Sequence, residues 1–374
     1  MGVIFGGKSG EHEVSLVSAQ SIMRALDKGK YEVVPIGITH EGRWLISGDP
    51  LQALTGGQTS MPQLLDSGFV LDVGASPAPP PPQHRELVPG TQAAGIPEVD
   101  VVFPVLHGPF GEDGTVQGLL DLADIPYVGA GVMASAVGMD KAVMKDVLRS
   151  HGLPVVEGML VKRLKWESDP DSIRAEIAKS IGYPCFVKPA NLGSSVGISK
   201  AHTAAEIDAA IDLAAQYDRK VLVEKCVQQA REIEVSVLGN DDPIASLPGE
   251  VIPSREFYDY AAKYLDDASE LLIPAPLDPE TTAQIRQLAL DAYVAFDCAG
   301  MARVDFLLSR VTGELFVGEV NTIPGFTSIS MYPKLWEASG ISYAELIDRL
   351  IELALERHAD KRRSRTTYDV ERGG

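Results

Sequence analysis

The sequence predicts an α/β protein whose N-terminal third forms a small parallel sheet. Three observations support this fold class. Short β-like runs alternate with helical patterns, an order typical of strands joined by helical crossovers. Apart from Asp100, the run Val99–Leu106 is apolar without alternation, as expected of a strand buried on both faces. Glycine-rich loops follow two of the strands, at the sheet edge where parallel sheets bind ligands.

The elements of the N-terminal third follow in a regular order, with a glycine turn between the first strand and the first helix. They are the strand Val3–Phe5, the helix from about Ser15 to Leu26, the strand Tyr31–Ile38, the strand Val99–Leu106, the loop His107–Gly114, the helix Thr115–Ala123 and the short strand Tyr127–Val128. The segment Ser76–Pro82 interrupts them. Its run of prolines cannot join a sheet interior, so it is predicted to be a surface excursion.

The remainder of the chain is predicted to begin with a helix that Asp140 caps and that ends at Gly152. A later helix is predicted to open with a capping box formed by Thr203 and Glu206. The other predicted elements are the strands Cys185–Val187, Val221–Val223, Ile233–Leu238, Ala302–Leu308 and Glu314–Val320, and the final helix Tyr343–Arg357.

Composition and charge exclude several classes of function. The formal net charge is −19 and is spread along the chain, which argues against a nucleic-acid or anionic-membrane surface. The three cysteines are widely spaced without a CxxC pair, so neither a disulfide framework nor a zinc site is expected. No run approaches the roughly 18 apolar residues of a membrane span, and no secretory signal is visible. We therefore expect a cytoplasmic protein with small-molecule partners.

The segment Gly2–Ser9 matches the phosphate-loop pattern G-x-x-x-x-G-K-[ST]. Three of its four variable positions are valine, isoleucine and phenylalanine, which favour a strand and do not easily wrap a phosphate with consecutive amides. The segment is therefore predicted to be a strand followed by a glycine turn. The alternative is a nucleotide-binding regulatory module in which Lys8 contacts the phosphates.

Two polar pairs near the C-terminus predict a site for divalent cations. Residues two apart in a strand share a face, so Arg303 projects with Asp305, and Glu319 projects with Asn321. The short connection Ser309–Gly313 predicts that the two strands pair as a hairpin. Two carboxylates and an amide oxygen then lie together, and such hard ligands suit Mg²⁺ or Mn²⁺. The alternative is a solvated sheet face with a cross-strand Arg–Asp pair.

Several lysines and a glycine-rich loop favour ATP as the ligand of this site. Lys188 ends an apolar strand before the loop Asn191–Gly197, whose amides and hydroxyls can close over phosphate oxygens. Lys141 lies in the first turn of a helix, where the macrodipole disfavours a cation, so we expect an anion to hold it there. Glu224 and Lys225 end another strand, where an adenine and ribose can be bound.

Nine motifs together resemble the D-alanine–D-alanine ligase family of the ATP-grasp superfamily, and they cover nearly the whole chain in family order. They are FGGKSGEHEVSL, LHGPFGEDGTVQG, MDK, VKPANLGSSVGISK, VEK, REIEV, EFYDYAAKY, ARVDF and EVNTIPGFTSISMYP. The resemblance implies an N-terminal Rossmann-like parallel-sheet domain at 1–139. A two-lobed ATP-grasp fold, α+β in character, is implied at 140–224 (small lobe) and 225–374 (large lobe). It also implies a homodimer.

The resemblance assigns roles to residues. It implies ATP binding by Lys141, Lys188, Ser194, Ser195, Glu224, Lys225, Val227, Glu232 and Lys263. Two Mg²⁺ or Mn²⁺ would be held by Asp305, Glu319 and Asn321. The implied catalytic residues are Glu13, Ser194, Tyr264, Arg303 and Gly325, of which Glu13, Ser194 and Tyr264 form a hydrogen-bonded set. The residues implied at the D-alanine substrates are Glu13, His107, Ser330 and Met331.

The chemistry implied by the resemblance joins two D-alanines for the peptidoglycan precursor. The carboxylate of the first attacks the γ-phosphate of ATP to give an acylphosphate, and the amine of the second displaces phosphate. Lys263 and Tyr264 resemble the enzymes that make the dipeptide rather than D-alanyl-D-lactate. The remaining alternative within the superfamily is a ligase that uses another acid and amine.

Overall fold

The chain folds as a mixed α/β protein with three sheets, and the computed structural model describes residues 1–57, 98–252, 270–327 and 329–365. The predicted proline-rich excursion Ser76–Pro82 and the pair Lys263-Tyr264 lie outside these residues. No helix in the described ranges is both long enough and apolar enough to cross a bilayer.

The N-terminal sheet has the order β3-β2-β1-β4. Its strands are β1 (Gly2–Gly6), β2 (Val34–Ile38), β3 (Trp44–Leu45) and β4 (Val102–Val105), and its helices are α1 (His12–Ala25), α2 (Pro50–Thr55), α3 (Thr115–Leu122) and α4 (Val132–Met139). The predicted parallel pairing is confirmed, since β1 runs parallel to both β2 and β4. Both faces of β1 are buried, because Val3 and Phe5 pack into one core cluster and Ile4 into another.

Three predicted boundaries in this region are wrong by a few residues. Helix α1 begins at His12 rather than near Ser15, and its first turn includes the acidic Glu13, which favours a helix N-terminus. Strand β2 begins only at Val34, because the N–H of Tyr31 is bonded to the Asp27 carbonyl (2.9 Å) in the preceding turn. The predicted strand Tyr127–Val128 is reduced to a single bridge to β4.

The second sheet is antiparallel, in the order β5-β8-β6-β7. Its strands are β5 (Gly158–Lys162), β6 (Cys185–Pro189), β7 (Ser199–Ala201) and β8 (Lys220–Lys225), and the helices before and around it are α5 (Lys141–Ser150), α6 (Arg163–Ser168), α7 (Pro170–Ser180) and α8 (Ile207–Tyr217). Asp140 caps α5 as predicted, accepting from the amides of Ala142 and Val143. The predicted capping box before α8 is not formed. Glu206 accepts from the amide of His202 (2.9 Å) rather than from that of Thr203, and Thr203 donates its hydroxyl to Glu206 instead of capping the helix.

The third sheet is also antiparallel, in the order β12-β11-β9-β13-β14, with β10 paired to β9. Its strands are β9 (Ala230–Gly239), β10 (Ile244–Ala245), β11 (Gly249–Ile252), β12 (Glu270–Leu272), β13 (Gly300–Ser309) and β14 (Leu315–Asn321), and the remaining helices are α9 (Pro279–Ala295), α10 (Met331–Ala338) and α11 (Tyr343–Lys361). The predicted hairpin is confirmed, since β13 and β14 pair in antiparallel register across the Ser309–Gly313 connection.

The two ends of the chain share one core. Phe5 of β1 lies in the same buried cluster as Phe326, Trp336 and Leu346, which belong to the loop after β14 and to the last two helices. Arg357 of α11 donates to the carbonyl of Tyr127 (3.0 Å), which is bridged to Val102 at the start of β4. This packing holds the loop after β14 and the last two helices against the N-terminal sheet.

Candidate active site

The β13–β14 hairpin brings the predicted metal-binding side chains together. Asp305 lies directly opposite Glu319, and Arg303 lies opposite Asn321. The side-chain amide of Asn321 donates to Asp305 (2.9 Å). The Nε and Nη2 atoms of Arg303 donate to the two oxygens of the same carboxylate (2.7 Å each). The predicted shared face is therefore confirmed, and the hairpin is oriented with its polar residues on one side.

Arg303 is held by a second carboxylate that the sequence did not reveal. Strand β9 lies on the other side of β13 and places Glu234 opposite Asp305, where it contacts the Arg303 Nε at 2.9 Å. Burial opposes the charge of Arg303, but Asp305 and Glu234 outweigh it and raise the pKa of the guanidinium above its ordinary value. Arg303 is therefore a permanent cation beside the predicted metal ligands.

Lys141, at the first position of α5, reaches the same face. Its Nζ lies 2.6 Å from Glu319 and donates to the carbonyl of Leu192 (2.9 Å), although the helix dipole disfavours a cation at this end. The anion that holds this lysine in the structure is the carboxylate of Glu319, so the binding of a phosphate by Lys141 stays a prediction. Lys141 thus joins the hairpin to the Asn191–Gly197 loop.

Glu224 of β8 lies between two lysines. Lys188 Nζ contacts one of its oxygens at 2.6 Å, and Lys145 of α5 contacts the other. Burial opposes ionisation of Glu224, but Lys188 and Lys145 together lower its pKa to about 2. The sequence predicted Lys188 and Glu224 as site residues but not Lys145, which lies four residues after Lys141 on α5. Residues four apart on a helix share a face, and that signal would have found it.

The other residues predicted to bind ATP, Lys225, Val227 and Glu232, differ in where their side chains lie. Lys225 follows Glu224 in the strand and therefore points to the opposite face, where it pairs with the exposed Glu157. Only the backbone of Lys225 is left to face a ligand on the Glu224 side. Val227 lies just beyond β8 and is half-buried, and Glu232 lies on the neighbouring β9.

The Asn191–Gly197 loop adopts a backbone conformation that is uncommon for residues with side chains. Ser194 and Ser195 have φ values of 50° and 59°, in the left-handed region that costs non-glycine residues energy. Ser194 donates its hydroxyl to Glu11. The loop thus turns Ser194 toward the edge of the N-terminal sheet.

This contact corrects the predicted role of Glu13. The expected partner of Ser194 was Glu13, but Glu13 is buried inside the first turn of α1 and contacts His40 (3.2 Å). Burial opposes its ionisation, yet the bond to His40 contributes to a net lowering of its pKa. Glu11 takes its place because the helix begins one residue later and leaves Glu11 at the cap position, facing outward. The predicted helix began near Ser15, so both glutamates lay before it and their positions could not be distinguished.

Glu11 lies where three loops meet. A Cβ placed on Gly193 would be 3.0 Å from Glu11 Oε2, and one placed on Gly108 would be 2.9 Å from the same oxygen. A side chain at either position would crowd the carboxylate and displace it. Glu11 therefore connects the turn after β1, the glycine-rich loop after β4 and the loop after β6.

His107 is buried at the end of β4 and is held on both sides of its ring. Its Nδ1 is 3.1 Å from the Ile323 carbonyl, and its Nε2 is 3.3 Å from the Ser18 hydroxyl. Burial alone would lower the pKa of His107, but the neighbouring Glu112 outweighs this and the pKa is raised. His107 is therefore a fixed polar group rather than only a turn residue.

The loop after β14 brings Gly325 and Ser330 together, since a Cβ on Gly325 would lie 3.0 Å from Ser330 Oγ. Ser330 precedes α10 and bonds to Thr327 (3.0 Å to its amide). The side chain of Met331 packs against Val251 and Leu335. Of Met331, only the backbone amide at the start of α10 is therefore available to a substrate.

The residues present fit a divalent cation through the chemistry of their donors. Asp305, Glu319 and Asn321 offer oxygen ligands from adjacent strands, and Arg303 and Lys141 occupy the carboxylates in this structure. Within the described ranges no three His, Cys, Asp or Glu side chains converge as a metal cluster, so the set depends on two carboxylates and one amide. The two predicted residues Lys263 and Tyr264 lie outside the described part of the chain.

Comparison with known proteins matches two family models to this chain. The model described as "D-ala D-ala ligase N-terminus" matches residues 1–130, and the model described as "D-ala D-ala ligase C-terminus" matches residues 147–352. A D-alanine–D-alanine ligase from Heliobacterium modesticaldum is 52% identical over 364 residues, covering 97% of this chain and 96% of the relative. One from Thermoanaerobacter sp. is 54% identical over 362 residues, covering 96% and 97%.

Two solved structures are similar over almost the whole chain. The D-alanine-D-alanine ligase from Coxiella burnetii has a TM-score of 0.78 and 37% identity, covering 97% of this chain and 95% of that one. The VanG D-Ala:D-Ser ligase from Enterococcus faecalis has a TM-score of 0.76 and 35% identity, covering 94% and 98%.

Proposed function

This chain belongs to the D-alanine–D-alanine ligase family, and from that premise we propose how its residues divide the work of the reaction. It is an ATP-dependent enzyme that ligates two D-alanines for peptidoglycan synthesis. The observation that carries the assignment of the site is the convergence of Lys141 with the Asp305–Glu319 pair. A cation, two carboxylates and a glycine-rich loop together suit a nucleoside triphosphate.

In the first step the carboxylate of the first D-alanine attacks the γ-phosphorus of ATP, and the bond to ADP breaks to leave D-alanyl phosphate. Lys141 and Lys188 bind the phosphates and neutralise charge on the transferring group. The amides and hydroxyls of Ser194 and Ser195 close over the phosphate oxygens. Glu224, Val227, Glu232 and the backbone of Lys225 line the adenosine pocket.

Asp305, Glu319 and Asn321 would hold two Mg²⁺ or Mn²⁺, which neutralise phosphate charge when bound. Lys141 leaves Glu319 for the phosphates when that carboxylate is needed as a ligand. Arg303 keeps its second partner, Glu234, when Asp305 turns away, so the guanidinium stays in position.

Glu11 binds the ammonium of the first D-alanine, because its carboxylate lies at the junction of the three loops. In the second step the free amine of the second D-alanine attacks the acyl carbonyl, and the tetrahedral adduct expels phosphate. Arg303 and the backbone of Gly325 stabilise the developing oxyanion. Ser330 and the amide of Met331 bind the carboxylate of the second substrate at the N-terminus of α10, and the fixed ring of His107 lies beside that substrate.

We further propose the architecture that the resemblance implies. Residues 1–139 form a Rossmann-like domain, residues 140–224 the small ATP-grasp lobe and residues 225–374 the large lobe. The enzyme works in the cytoplasm as a homodimer without a membrane partner. An exposed apolar patch supports the dimer: Leu119 and Leu122 of α3 lie beside Val132 and Met133 of α4, and Leu122 is 91% exposed.

ADP release measured with and without D-alanine tests the function. The wild type is expected to release ADP only with Mg²⁺ and D-alanine and to form the dipeptide, whereas Glu319→Gln should lose most of its activity. Likeness to the VanG D-Ala:D-Ser ligase makes D-serine the alternative second substrate. Faster turnover with D-serine or D-lactate than with D-alanine at neutral pH would contradict the proposal.

A further inference from the structure

Lys145 is a buried cation on the helix that carries Lys141. Its side chain is only 3% exposed and contacts a carboxylate that is equally enclosed, Glu224. Lys188, on the opposite side of that carboxylate, is 23% exposed. The three groups therefore form a row from the buried Lys145, through Glu224, to the partly exposed Lys188.

The charges in this row do not cancel, since two ammonium groups share one carboxylate. Burial lowers the pKa of Lys145, while Glu224 outweighs burial at Lys188 and raises the pKa of that lysine. Of the two ammonium groups, that of Lys188 is the more exposed and can be turned toward a ligand. A buried carboxylate left without a cation is costly, because its desolvation is no longer compensated.

We propose that Lys145 is a positioning residue that frees Lys188 to bind the nucleotide phosphates. This rests on the proposed role of Lys188 as a phosphate ligand. When the nucleotide enters, Lys188 moves from Glu224 to the phosphate oxygens, and Lys145 remains as the counter-ion of Glu224. Without Lys145, Lys188 is the sole partner of a buried carboxylate and stays bound to it.

The direct test is Lys145→Met, which shortens the unbranched side chain by one atom and removes its charge. We expect the Kd for ADP and the KM for ATP to rise about tenfold, equivalent to one lost charge-assisted contact. The KM for D-alanine and the Kd for adenosine should change less than about twofold, because neither depends on the phosphate contact. Lys165→Met, which removes an exposed lysine paired with Asp169, is the matched control and should leave all four constants unchanged.

A double-mutant cycle with Glu224→Gln separates this role from a direct contact. In the Glu224→Gln background no charged carboxylate retains Lys188, so adding Lys145→Met should change the Kd for ADP by less than about twofold. A loss of about tenfold in that background would mean that Lys145 touches the nucleotide itself, and the proposal would be overturned. Lys145→Arg keeps the charge and should bind ADP within about threefold of the wild type.

Folding is checked by thermal unfolding of each variant. If Lys145→Met does not fold, Lys145→Gln takes its place with the same expectation, since it is uncharged but can still bond to Glu224. ADP binding needs no D-alanine, so an unchanged Kd in Lys145→Met refutes the inference whichever amine the enzyme uses. Absence of D-alanine-dependent ADP release in the wild type would instead refute the proposed function.

Discussion

Exchanging the carboxylate of Glu11 for an amide tests whether Glu11, rather than the predicted Glu13, is the functional carboxylate of the motif FGGKSGEHEVSL. Glu11→Gln keeps the shape of the side chain but removes the charge that would bind an ammonium. A hydrogen bond to a charged group contributes about 1.5–3 kcal/mol, which corresponds to a roughly 10- to 150-fold loss in kcat/KM for the first D-alanine. Stability should change little, because the Ser194 hydroxyl can still donate to the amide oxygen.

The matched control is Glu13→Gln, two residues away in the same motif. Glu13 contacts His40 and not the Asn191–Gly197 loop, so its amide variant should keep kcat/KM within about threefold while lowering the free energy of unfolding. Coupled ADP release at varied D-alanine and urea unfolding of both variants measure the two effects. The opposite pattern, with activity lost in Glu13→Gln and kept in Glu11→Gln, would refute the assignment.

Three further predictions concern stability and assembly. Burial opposes ionisation of Glu224, but Lys188 and Lys145 hold its pKa at about 2, below the ordinary 4.5. Ionised Glu224 therefore stabilises the fold above about pH 4.5, and this contribution to the free energy of unfolding is lost as the pH falls toward about 2. In urea unfolding, Glu224→Gln should make the free energy of unfolding depend less on pH across that range. Trp336→Ala should cost about 3–5 kcal/mol in the same measurement, because the ring is buried in the core shared by both chain ends. Leu122→Glu should shift the protein from dimer to monomer in analytical ultracentrifugation, and a dimer that persists would exclude the α3–α4 patch as the interface.

Features coded by local sequence were predicted well. The β13–β14 hairpin needed only a short connection and the two-residue period of a strand, so the alignment of Asp305 with Glu319 followed directly. The same locality allowed the phosphate-loop match to be declined. Five of its eight residues lie in β1, and Lys8 is exposed beyond the strand.

Features that depend on distant pairing were not predicted. Glu234 joins the site only because β9 lies beside β13, and no local pattern specifies that neighbour. The contact with Ser194 was predicted for Glu13 but is made by Glu11. Which of the two carboxylates reaches the loop depends on where α1 begins, and the predicted start was wrong by about one turn. Lys145 was within reach of helical spacing, but its importance comes from β8, which brings Glu224 against it.

The shared core of β1 and α11 has a consequence for synthesis on the ribosome. One face of the N-terminal sheet packs against Trp336 and Leu346, which are translated long after β1. Helix α1 covers part of that face early, but its cover is completed only by these contacts of very high sequence separation. The N-terminal sheet is thus begun early in synthesis and completed late, and part of its apolar surface stays open to aggregation until then.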